Sequence, residues 1–97
     1  MLSDEWTLFD FALRLQQWID IDDPPASWRR ASIRLVERLS RDPFTGARQT
    51  FENDPRLWSV IVPGAEDETN QVLCTYLVDH EGRSLRCGNV STLRRPI

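Results

Sequence analysis

The most ordered chemical feature of the 97-residue chain is a row of arginines, Arg30, Arg34 and Arg38, each four residues after the last. On a helix that spacing places all three guanidinium groups on one side. Like charges so placed repel mildly and call for an anionic partner or full solvation. Their planar, five-donor heads suit phosphate or carboxylate, so this row is the candidate partner-binding surface. All twelve basic residues are Arg.

His80 is the sole histidine, with Tyr76, Asp79 and Glu81 near it in sequence, and any proton transfer near neutrality through imidazole must use it. Its setting, Asp79-His80-Glu81-Gly82, has the composition of a polar turn. Asp22/Asp23 and Glu66/Asp67/Glu68 are clustered carboxylates without EF-hand spacing or a histidine partner, so no metal is expected. Cys74 and Cys87 lack zinc-site spacing and are expected as buried free thiols, with a cross-strand disulfide as the alternative. There is no glycine-rich phosphate loop and no nucleophile elbow, and no cofactor is expected.

Charge comes in blocks. Residues 1–25 carry six acids against Arg14, whereas residues 26–50 carry six arginines against Glu37 and Asp42. Residues 51–70 are again acidic and residues 71–97 mildly basic, for a net charge of −3. Alternating patches suit a protein partner better than a long phosphate backbone, which asks for a continuous basic surface. The acidic balance disfavours RNA or the ribosome. No apolar run approaches the roughly 20 residues that span a bilayer, and Met1-Leu2-Ser3-Asp4-Glu5 is acidic where a signal peptide is basic, so a cytoplasmic protein without membrane association is expected.

The elements that must position these groups can be read from periodicity. Leu8, Phe11, Ala12, Leu15, Trp18 and Ile19 recur at helical spacing and predict an amphipathic helix from Asp4 to about Ile19, with Ser3 as N-cap. Asp20 to Pro25 breaks it. Asp23 is a candidate N-cap and Pro24 the first position of a second helix that ends near Ser40, before Asp42-Pro43. Joined by a short turn, the two helices predict a hairpin.

Beyond Gly46 the pattern turns strand-like. Arg56–Val62, Gln71–Asp79 and Arg83–Val90 predict three strands, with a shorter one near Gln49-Thr50-Phe51, an acidic loop over residues 64–70 and a tight turn at His80-Glu81-Gly82. The expected fold is one α+β domain over residues 1–97, a helical hairpin packed on a three- to four-stranded antiparallel sheet.

Leu39-Ser40-Arg41-Asp42-Pro43 at the end of the second helix, then Leu57-Trp58-Ser59-Val60 and Tyr76-Leu77-Val78-Asp79-His80-Glu81-Gly82 in a meander, resemble the RelE/ParE superfamily of bacterial toxins over roughly residues 26–90. The resemblance implies a toxin-type protein that binds a macromolecular target and is neutralised by an antitoxin. RNA-cleaving members use basic residues on the sheet to stabilise the phosphate, which implies Tyr76, Arg86 and Arg94 (or Arg95) as the catalytic set. Val72-Leu73 stands where an aromatic-arginine pair is usual, so ribosome-dependent RNA cleavage is implied less strongly than binding. Members that act on proteins, and relatives recruited as inhibitors, fit the charge pattern. The alternative is a non-enzymatic interaction or inhibitor module with the same α+β layout.

Overall fold

The structure, a computed structural model, describes residues 5–49 and 53–96. Its first element is a strand, β1 (Thr7–Phe9), in a stretch whose apolar spacing predicts helix. The Trp6 N–H donates to the Ser40 carbonyl at 2.6 Å and the Thr7 N–H to the Arg83 carbonyl at 2.9 Å. Trp6 and Leu8 turn inward while Thr7 and Phe9 turn outward, a two-residue alternation that β-favouring side chains support. The helix begins only after Asp10, whose φ of 67° breaks the strand.

Helix α1 runs Phe11–Asp22 and ends in Asp23, which adopts a φ of 43° and donates its N–H to the Ile19 carbonyl. Asp23 thus closes the first helix and does not cap the second. Helix α2 (Ala26–Leu39) starts beyond Pro24-Pro25, with the Pro25 carbonyl accepting from the Trp28 and Arg29 N–H groups. Ser3 and Asp4 of the predicted first turn lie outside the described residues.

Four more strands follow: β2 (Ala47–Gln49), β3 (Leu57–Glu66), β4 (Asn70–Asp79) and β5 (Ser84–Arg94). Thr50 and Phe51 of the predicted short strand lie outside the described residues. The sheet has five strands in the order β1-β5-β4-β3-β2 and is mixed, because β1 pairs parallel to β5 while every other pairing is antiparallel. This corrects the expected three- to four-stranded antiparallel sheet; the added strand is the segment read as the start of a helix. β3 also runs on through residues assigned to the acidic loop. Gly64 makes that possible: its φ is 85°, and a Cβ there would lie 3.6 Å from that of Ala31, so β3 bulges under α2 where Ala65 is buried.

The core lies on one face of the sheet. Trp58, Val60 and Val62 of β3, Val72, Cys74, Tyr76 and Val78 of β4, and Leu85, Cys87 and Val90 of β5 point to this face by register. α2 packs over β3 and α1 over β5; the helices meet the sheet far more than each other, so they form a side-by-side layer rather than a closely packed hairpin. Ala31, Leu35 and Leu39 from α2 and Phe11 and Trp18 from α1 fill the space between. The Trp18 indole Nε1–H donates to Thr92 Oγ1 at 2.9 Å, which ties α1 to β5. Both cysteines are buried free thiols, as expected. Cys74 donates its hydrogen toward Cys87 and is shielded from water, and together these push its pKa well up. No helix among the described residues is long and apolar enough to cross a membrane.

Aspartates hold the connections. Asp42 Oδ1 accepts from the backbone N–H groups of Phe44 and Thr45, and Asp67 Oδ1 from those of Thr69 and Asn70, while Asp54 binds both the Arg56 guanidinium and its N–H. Hydrogen bonds from Thr45, Arg56 and Thr69 respectively are the main reason all three carboxyls sit below the usual Asp value. A depressed folded-state pKa contributes stability that is complete above the ordinary value of about 4 and is lost as pH falls through the lowered one. The melting temperature should therefore drop as pH is taken below about 4, with a shallower slope in Asp42→Ala. An unchanged slope in that variant would place the acid sensitivity elsewhere.

Candidate functional site

With both helices on one face, no helix among the described residues lies over the other face of the sheet. Phe9 of β1, Leu57 and Ile61 of β3, Leu73 and Leu77 of β4 and Leu93 of β5 point to that side by register. Phe9, Ile61 and Leu93 are 41%, 37% and 41% exposed. Apolar side chains alternate here with Ser59, Thr75, Ser91 and Arg48, so the surface is mixed and open rather than a second core.

At the end of this face nearest β1, a cleft of about 550 Å³ is lined by Phe9, Arg56, Leu77, His80, Ser84 and Arg86, among others. β5 presents Arg86 outward opposite Phe9, and its guanidinium carbon lies 4.9 Å over the Phe9 ring. Arg86 Nη1 also donates to Asp10 Oδ2 at 2.8 Å. Asp10 thus breaks β1 and orients an arginine on the neighbouring strand. Arg56, across the cleft, is held by Asp54 at 3.1 Å. Paired and solvent-exposed, these two arginines are restrained donors whose ion pairs contribute little stability.

His80 occupies a more structured position than its turn composition implies. Its ring stacks on Phe44 at 5.6 Å and an 11° interplanar angle, and meets Trp6 edge-on at 6.0 Å. Phe44 in turn packs on Trp58 at 4.9 Å. These rings close one end of the domain, where the start of the chain, the α2–β2 loop and the β4–β5 turn converge.

The residues expected to form a catalytic set are not brought together. Tyr76 lies on the opposite, inner face, fully buried, and its hydroxyl donates to the Pro43 carbonyl. Burial pushes the pKa of that hydroxyl well up, with Cys74 adding to the effect. Arg86 is on the outer face at the start of β5, while Arg94 sits at the far end of the same strand opposite Asn70. At about 3.3 Å per residue their backbones are roughly 26 Å apart. Tyr76 is thus a core tyrosine locked to a loop, and the arginines cannot grip one phosphate together.

Arg30, Arg34 and Arg38 do share one side of α2, but not one role. Arg38 Nη1 donates to the Thr45 carbonyl at 2.9 Å and lies 3.8 Å from Asp42, so it fastens the loop that follows α2. Arg34 and Arg38 border a cleft of about 170 Å³ with Ala31, Leu35 and Pro63, where α2 meets the edge of β3. Arg30 and Arg34 make no ion pair among the described residues. Neither carboxylate cluster gathers three ligands for a metal, and no such group occurs among the described residues.

Phe9, Ile61, Leu77 and Leu93 were missed as site residues when the strands were assigned only to a core. The available signal was the apolar content of both alternating sets, Trp58/Val60/Val62 and Leu57/Ile61, which marks a strand with two apolar faces. No protein-family model, curated protein or solved structure matches the chain.

Proposed function

We propose that the protein acts by holding a macromolecular partner, a protein, on the uncovered face of its sheet, rather than by cutting one. The observation that carries the proposal is that face: a row of part-exposed apolar side chains, Phe9, Leu77, Leu73, Ile61 and Leu93, beside arginines fixed in place at one end. Exposed apolar surface rimmed by polar groups is how protein interaction sites differ from ordinary solvated surface. Together with the resemblance of roughly residues 26–90 to RelE/ParE toxins, it favours a toxin-type protein whose target is bound, with an antitoxin as its neutralising partner in the cytoplasm.

A second reading, a non-enzymatic inhibitor or interaction module, is favoured by the engaged Tyr76 hydroxyl and the separation of Arg86 from Arg94, which keep these three residues from gripping one phosphate together. Induced expression separates the two. Growth arrest relieved by a co-expressed partner supports the toxin form, and unimpaired growth supports the module.

The arginine row on α2, on the helix side of the sheet, is a separate contact surface. Reversing Arg30 and Arg34 together to Glu should weaken a captured complex by roughly tenfold, about 1.4 kcal/mol, at unchanged melting temperature. Undiminished capture would make the row ordinary solvated surface.

A further inference from the structure

Where α2 passes the edge of β3, Arg34 and Arg38 stand over an apolar floor of Ala31, Leu35 and Pro63. β2 does not cover this place. Its first pairing is Ala47 with Val60, and Gly46, at a φ of 77°, turns the chain away before it reaches Ile61. The cleft therefore opens at the side of the sheet.

Its two arginines are held differently. Arg38 donates through Nη1 to the Thr45 carbonyl, with Asp42 at 3.8 Å, so its head is fixed while most of its five N–H donors stay unused. Arg34 is exposed and makes no ion pair among the described residues. Two guanidinium charges thus share one carboxylate, that of Asp42. One further carboxylate would bring the cleft to neutrality. At about 170 Å³ it is also smaller than the roughly 300–1,000 Å³ of a small-molecule site, and suits a single side chain.

We propose that this cleft takes a glutamate side chain from an acidic segment of a partner protein. The carboxylate lies between Arg34 and Arg38, whose planar heads match its two oxygens, and its methylene groups lie on Ala31, Leu35 and Pro63. This rests on the reading of the α2 arginine row as a contact surface. It narrows that row to two residues, because Arg30 does not line the cleft.

The surroundings select a protein over a nucleic acid. Residues 26–50 carry six arginines against Glu37 and Asp42, but the basic patch is bounded. Arg29 at the start of α2 is already paired with Asp23, and beyond Pro63 the chain leads to the exposed Glu66, Asp67 and Glu68. A phosphate backbone following the ridge meets acids in both directions, whereas one inserted carboxylate does not.

The probe is a short peptide alternating Glu with Ala, acetylated and amidated to remove its terminal charges. It is titrated into the intact, isotope-labelled chain while the arginine Nε–H resonances are followed. The Glu peptide should move the Arg34 and Arg38 signals, and the same peptide with Gln for Glu should not. Arg34→Gln should weaken binding by roughly tenfold, and Arg30→Gln by less than about twofold.

Equal losses in the two variants would mean attraction to the general charge of the helix and overturn the cleft assignment. A single-stranded RNA oligonucleotide that moves the same resonances at lower concentration than the peptide would overturn the choice of a protein carboxylate. No response to the Glu peptide overturns the proposal too. In that event, capture that still weakens when Arg30 and Arg34 are reversed to Glu keeps the row as a contact surface, so the two failures are told apart.

Discussion

Tyr76→Phe should lower the free energy of unfolding by about 1–3 kcal/mol, the cost of leaving one buried polar partner unsatisfied, while leaving partner binding intact. The hydroxyl that is lost donates to the Pro43 carbonyl inside the fold, and Phe supplies nothing in its place. The ring itself remains, tilted against Phe11 at 6.3 Å, so no cavity is created. For a domain of this size each kcal/mol corresponds to roughly 4–8 °C in the midpoint of thermal unfolding, which makes the effect easy to measure. A catalytic Tyr76 would give the reverse pattern, with stability retained and activity lost. The buried hydroxyl, its raised pKa and its position on the face opposite Arg86 all argue for the structural outcome.

The second large effect is expected on the uncovered face. Changing Phe9 and Ile61 together to Glu should reduce partner capture by roughly thirtyfold or more, the equivalent of about 2 kcal/mol for a hot-spot side chain. Folding should persist, because both residues lie outside the core and Glu at position 9 can meet Arg86 where the ring now stacks. Capture that survives in a folded double variant would remove this face from the binding surface and leave the α2 arginines as the candidate.

Much of the architecture is legible in the sequence because side-chain periodicity is strong where burial is one-sided. α2 follows from its apolar stripe, and β4 from nine residues of alternating character whose inward set is buried throughout. The start of the chain is misleading for a physical reason. Leu8 and Phe11 fall three residues apart, a helical interval, yet they belong to different elements separated by the left-handed Asp10. What makes residues 7–9 a strand is a vacant edge of β5 some 75 residues later, a nonlocal cause that local spacing does not carry.

Gly64 misleads in the opposite direction, since a glycine beside Pro63 reads as a loop but here forms a bulge beneath Ala31. The candidate site was less legible than the fold. Arg30, Arg34 and Arg38 were identified by type and spacing, but that Arg38 would be spent on the Thr45 carbonyl depends on the path of the following loop. The uncovered face arises from the helices choosing one side, which no single segment records.

The proposed binding of a protein partner through the uncovered sheet face, without chemistry there, is tested most directly by capture from the native host with three baits: wild type, Tyr76→Phe, and Phe9→Glu with Ile61→Glu. The account predicts one protein recovered in fixed proportion with the first two and missing from the third. Recovery of ribosomes, with messenger RNA cleavage that disappears in Arg86→Ala or Tyr76→Phe, would contradict it.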